Sequence, residues 1–128
     1  MKVDAALTIT NLGAVATAAP EIEKTGYDGI FTFEGQHDPF FPLLLAAEHT
    51  EHVQLTTAVA IAFARNPMTL AHTAYDLQLA SHGRFRLGLG TQIKPHIEKR
   101  FSMPWSHPVE RMRELVLAIR AILSLIHI

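Results

Sequence analysis

Two rhythms of apolar residues alternate along the chain. Short β-prone runs occupy Lys2–Leu7, Gly29–Phe33, Val53–Ala62 and Arg84–Leu89. The third is almost continuously apolar after Thr57, which suits a strand buried on both faces of a parallel sheet. Between these runs, apolar residues recur at helical spacing. Val15, Ala18, Ala19 and Ile22 share one face of a first helix over Gly13–Lys24, with Asn11 as its cap and Gly26 as its end. Pro20 is expected to kink or divide it. Pro42–His49 reads as a short helix rich in Leu and Ala. Asn66-Pro67 opens a third helix carrying Leu70, Thr73, Ala74, Leu77 and Ala80, and Ser81-His82-Gly83 stops it. One helical turn is expected at His96–Arg100. Pro108 opens the last helix, whose predicted buried face is Val109, Met112, Leu115, Val116, Ile119 and Ile122.

Strand and helix thus alternate four times, the signature of parallel β-α units with right-handed crossovers. Two architectures satisfy that order: an open doubly wound sheet and part of a (β/α)8 barrel. Periodicity does not choose between them.

Composition narrows the function classes. The 128 residues are 48% hydrophobic and 18% charged, enough to bury a core. A formal charge of -1 and the lack of a basic stripe argue against nucleic acid and anionic membrane as partners. The absence of Cys excludes disulfides, thiolate metal sites and a Cys nucleophile. No run approaches the roughly 18 apolar residues of a membrane span. Asp4 stands where a signal peptide would begin its apolar region, so the expectation is a cytoplasmic protein.

Four segments stand in a telling order: Thr57-Ala58-Val59, Arg65-Asn66-Pro67, Ser81-His82-Gly83-Arg84-Phe85 and Leu87-Gly88-Leu89-Gly90-Thr91. In order and spacing they resemble the luciferase-like monooxygenase superfamily. Within it, Glu34-Gly35-Gln36-His37-Asp38-Pro39-Phe40, Gly90-Thr91-Gln92, His96 and Pro104-Trp105-Ser106-His107-Pro108 resemble the coenzyme F420-dependent oxidoreductase branch. The resemblance implies a (β/α)8 barrel, a fold that needs about 200 residues or more. Residues 1–122 would then be its N-terminal half, four parallel strands alternating with helices, truncated. Residues 123–128 are expected to be an artefactual or frayed tail.

The resemblance further implies a parent enzyme that transfers hydride between coenzyme F420 and a small organic substrate. An FMN-dependent monooxygenase on the same barrel is the alternative, and a non-catalytic fragment that self-associates is a third. The parent is expected to be a homo-oligomer. His37 is implied as the catalytic acid or base. Asp38, Ala58, Val59, Gly90, Thr91, Gln92 and His96 are implied as cofactor contacts, with Ala58–Val59 as a non-prolyl cis peptide forming a bulge against the deazaflavin ring.

The residues themselves allow plainer readings. A His beside an Asp can titrate near neutral pH with a fixed tautomer, but Asp38 could instead cap the next helix. Gly88-Leu89-Gly90 begins a dinucleotide fingerprint, yet Ile93 stands where the third glycine belongs. Small residues there let a flat ring or a phosphate approach the backbone. Glu48, His49, Glu51 and His52 lack the His-Glu-x-x-His spacing and fall at the amino end of a strand, so no metal site is expected. Arg111, Arg113 and Arg120 read as a solvated helix face, and Trp105 as a packing anchor.

Overall fold

The computed structural model describes residues 1–125. Strands β1 (Asp4–Ala6), β2 (Gly29–Thr32), β3 (Gln54–Thr57) and β5 (Phe85–Arg86) form one sheet in the order β1-β2-β3-β5, and every pairing is parallel. Strand order in space follows strand order along the chain, so among the described residues the sheet has no order reversal of the doubly wound kind. A second pair, β4 (Ala60–Ile61) and β6 (Leu89–Gly90), is also parallel. The arrangement is an α/β fold with the strand order of half a (β/α)8 barrel.

Two expected strands are each broken in two, and the cause is one side chain. Thr57 is fully buried; its hydroxyl donates to the Gly88 carbonyl at 2.8 Å and accepts from the Gly88 N–H at 2.9 Å. This clamp interrupts the ladder between β3 and β5. It resumes when Ala60 N–H donates to the same Gly88 carbonyl at 2.9 Å. Between Thr57 and Ala60 the Ala58–Val59 peptide is cis. Gly88 has no room for a side chain, since a Cβ there would lie 1.9 Å from the Thr57 carbonyl oxygen.

The helices are α1 (Val15–Thr25), α2 (Phe40–His49), α3 (Pro67–Ala80), α4 (Lys94–Arg100) and α5 (Pro108–Leu125). Asn11 caps a 3-10 turn, Leu12–Ala14, that leads into α1. Pro20 does not divide α1: the carbonyl it leaves unpaired belongs to Ala16, on the exposed first turn and open to water. Gly26, at φ 92°, ends the helix in the left-handed conformation. The Asn66 side chain accepts from Thr69 N–H at 2.8 Å and starts α3. None of the helices among the described residues is long and apolar enough to cross a membrane.

Ile30, Leu55 and Phe85 point from one face of the sheet into the main core, against Val15 and Ala19 of α1, Leu43 of α2 and Leu70 of α3. Ile61, Ala62, Phe63 and Ile97 build a smaller core. Trp105 closes it edge-on to Phe63, at 5.6 Å and 63°, as the expected anchor. The last helix differs from expectation. Val109 is 76% exposed and Ile119 alone of the predicted face is buried, because α5 meets α3 along one side only. Arg111 is not simply solvated: its guanidinium stacks 4.3 Å above Phe63 and donates to the Pro104 carbonyl at 2.7 Å. Leu123 to Leu125 continue α5, and the rest of the expected tail, 126–128, lies outside the described residues.

At the amino ends of the strands, Arg84 uses all its donors on neutral oxygens. It bonds the carbonyls of Ala47, Thr50, Val53 and Ser81 and the Thr50 hydroxyl, at 2.8–3.1 Å. One guanidinium thereby fixes the end of α2 and the entries to β3 and β5.

Candidate functional site

Chemistry in such a fold gathers at the carboxyl ends of the strands, and there the chain places an ion network. Glu34 follows β2 and its side chain is 7% exposed. Its Oε2 accepts from Ile61 N–H at 2.7 Å and from Arg65 Nη1 at 2.6 Å. The other arm of Arg65 donates to Asp38 Oδ2 at 3.1 Å, and its guanidinium lies 5.4 Å above the Phe40 ring. The loops after β2 and β4 are thus held to each other by charge-assisted bonds, the strong kind in a part-buried setting.

Asp38 is committed by these contacts. Oδ1 accepts from Phe40 N–H at 2.8 Å, opening α2, while Oδ2 faces Arg65. Of the two readings open for Asp38, the structure shows the helix cap, and adds an ion pair with Arg65. His37 itself is exposed and lines a cleft of about 560 Å3 with Thr8, Gln36, Asp38 and Arg100. That volume lies within the usual range for small-molecule sites, about 300–1,000 Å3. Leu7, Ile9, Phe33 and Pro42 supply its apolar wall.

Ala58, Val59 and Gly90 meet beside the network. Ala58 N–H donates to Thr32 O at 2.6 Å, and Glu34 N–H donates to Val59 O at 3.3 Å. Both side chains remain exposed, Val59 by 42%. The space above Gly90 is filled by Val59, since a Cβ there would sit 2.5 Å from Val59 Cγ2. The small residue at position 90 thus serves the bulge beside it. Thr91 donates its hydroxyl to the Gln92 carbonyl at 3.1 Å. Gln92, at φ 60°, turns its Oε1 back to Ile93 N–H at 3.0 Å, at the entry to α4. His96 is exposed on α4.

The structure brings His37 and Asp38 into one cleft. It places Ala58, Val59 and Gly90 at the same end of the strands but outside the lining of that cleft, and likewise Thr91, Gln92 and His96. His52 lines a different cleft, with Lys2, Gln54 and Arg84 near the amino ends, and His49 bonds the Leu45 carbonyl within α2. Sequence reading missed Arg65 and Arg100 as members of this region. Arg65 had a signal, the Arg-Asn-Pro string, but its partners are 27 and 31 residues away. Arg100 had none, and it reaches the Gly35 carbonyl from 65 residues away.

Comparison with known proteins supplies the family. A family model described as luciferase-like monooxygenase matches residues 2–125. The chain belongs to the luciferase-like monooxygenase family. An uncharacterized member of Mycobacterium tuberculosis is 58% identical over 122 residues, 95% of this chain and 36% of that protein. The chain therefore spans about a third of the curated relative's length. Solved structures show the same fold. The oxygenating constituent of 3,6-diketocamphane monooxygenase from Pseudomonas putida, a type II Baeyer-Villiger enzyme in complex with FMN, matches with TM-score 0.82 at 15% identity. The match covers 95% of this chain and 40% of that one. The coenzyme F420-dependent tetrahydromethanopterin reductase of Methanopyrus kandleri matches with TM-score 0.77 at 18% identity, over 93% of this chain and 38% of that one. One of these neighbours is in complex with FMN and the other is coenzyme F420-dependent, and the part of the fold present here is common to both.

Proposed function

We propose that the protein represented by this chain transfers hydride between coenzyme F420 and a small organic substrate, with His37 as its acid or base. The observation that carries the reading is the ledge formed by Ala58 and Val59, exposed at the strand end and fixed by bonds from Glu34 and to Thr32. The resemblance at Glu34–Phe40 and Gly90–Gln92 favours the deazaflavin over FMN.

The residues present fit such a group. An apolar ledge of two small side chains can face a flat ring, and the mouth beside it carries hydroxyl, amide and imidazole groups. When bound, the deazaflavin supplies the hydride chemistry; the protein's part is to position, to exclude water and to handle the proton. Ala58 and Val59 would support one ring face, with Asp38, Gly90, Thr91, Gln92 and His96 around the cofactor. His37, exposed in the cleft, can hold a proton at an imidazole nitrogen and exchange it with the substrate.

The test is a titration of this chain and of a full-length relative with coenzyme F420 and, separately, with FMN, following each cofactor's absorbance. Saturable F420 binding, with its absorbance changing during turnover by the full-length relative, supports the reading. Retention of FMN with oxygen consumption would replace it with the monooxygenase reading.

A further inference from the structure

The cleft that holds His37 contains a charge that the proposed chemistry leaves unused. Its lining includes two charged side chains, Asp38 and Arg100. Asp38 shares Arg65 with Glu34, so that network has no surplus positive charge to offer a ligand. Arg100, from α4, reaches across to the Gly35 carbonyl and stacks 5.1 Å above Phe101. Its partner across the cleft is therefore a neutral oxygen, and one N–H contact leaves most of a five-donor fork free. Lys94, on the same helix, has its own carboxylate in Glu98 at 3.8 Å.

From this we infer that Arg100 forms an anion subsite, and that the substrate of the cleft is a small organic carboxylate. The inference rests on reading the His37 cleft as the substrate pocket, and it is independent of which cofactor the barrel holds. A guanidinium offers two parallel N–H groups to a carboxylate, a geometry that a single lysine or amide does not reproduce. One unpaired positive charge matches a monoanion, whereas a phosphate dianion would leave excess charge beside Asp38. The remaining wall, Leu7, Ile9, Phe33 and Pro42, suits an apolar body attached to that carboxylate. Held this way, the ligand has its charged end at Arg100 and the rest of its frame within the cleft that His37 lines.

The experiment uses two probes of equal shape, benzoate and benzamide, titrated into the 128-residue chain and followed by calorimetry and by NMR of the His37 and Arg100 side chains. Benzoate should bind roughly tenfold more tightly than benzamide, the size of one charge-assisted contact. Arg100→Gln should bring the two probes within about twofold, while Arg100→Lys should retain part of the preference. Thermal melting of each variant checks that the fold is intact. Equal binding of the two probes by the native chain, no binding of either, or a preference that survives Arg100→Gln would overturn the inference. F420 titration of the same samples separates the two readings. If F420 fails to bind but the benzoate preference holds, the cofactor assignment fails and the anion subsite stands. If F420 binds and the preference is absent, the reverse is true.

Discussion

Val59 occupies the volume that any side chain at position 90 would need. A Cβ on Gly90 would lie 2.5 Å from Val59 Cγ2 and 3.3 Å from its Cβ. The ledge proposed to face the cofactor is therefore seated on a glycine one strand away. Gly90→Ala should push Val59 off its seat and destabilise the fold by about 1–3 kcal/mol, the usual cost of overpacking. Val59→Ala in the Gly90→Ala background should recover much of that loss. Urea denaturation of the two single variants and the double variant gives the coupling; strict additivity would show that the contact does not matter.

Gly88 presents a harder case. There the obstruction is backbone, the Thr57 carbonyl oxygen at 1.9 Å, which has no rotamer to change. Gly88→Ala should cost more than about 3 kcal/mol, beyond the ordinary overpacking range, with no rescuing partner. Thr57→Val tests the clamp from the other side. It keeps the shape but removes both hydroxyl bonds to Gly88. The Gly88 carbonyl retains the Ala60 N–H, so only the Gly88 N–H loses its partner. The expected cost is about 1 kcal/mol, at the low end for an unsatisfied donor because the Gly88 N–H is only part-buried. Equilibrium unfolding measures both.

How far the molecule could be read in advance follows from the range of each interaction. Helix ends are local: Asn66 caps through Thr69, three residues on, and Gly26 needs only its own φ, so both were legible. The alternation of β-prone and helical segments gave the parallel order for the same reason. The break in the third and fourth strands was not legible, because it depends on Thr57 meeting Gly88 31 residues later. Periodicity showed which face of α5 is apolar but not how much of it would be covered, hence the exposure of Val109. Within the site, His37 was visible as a residue type, while the fate of Asp38 turned on Arg65, a partner that no local pattern names. The cis peptide at Ala58–Val59 came from resemblance alone, since nothing in those side chains encodes it.

Glu34→Gln should loosen the mouth without emptying the core. The amide keeps the side-chain length and can still accept from Ile61 N–H, but it leaves Arg65, 17% exposed, with Asp38 as its remaining carboxylate. A loss of about 2 kcal/mol is expected, that of a charge-assisted bond in a part-buried place. Hydrogen exchange should speed up at Glu34 and Ile61 before it does so at Leu55. Unchanged protection at both loops would show that Glu34 does not join them.

The acid limit of stability should be set partly at the opposite end of the strands, by Glu23. Its carboxylate accepts from the N–H groups of Glu51, His52 and Val53 at 2.7–3.1 Å, tying α1 to the entry of β3. Burial by itself would raise the carboxyl pKa, but the three backbone donors, together with the His52 charge, outweigh it and hold the group below its ordinary value. A lowered folded-state pKa means that the unfolded chain takes up the proton first. Glu23 therefore stabilises the fold fully above the ordinary glutamate range, about pH 4.3. That contribution fades as pH falls through the folded-state value. Glu23→Gln keeps an acceptor but no charge, so it should be less stable than the native chain by on the order of 1 kcal/mol near neutrality. The gap should be present near neutrality and shrink below about pH 4 as Glu23 protonates. Other carboxylates titrate in the same range, but they are shared by both proteins and cancel in the difference. Paired denaturant melts across that pH series decide the matter: a gap that persists undiminished to pH 3 would mean that the three N–H bonds do not depend on the charge of Glu23.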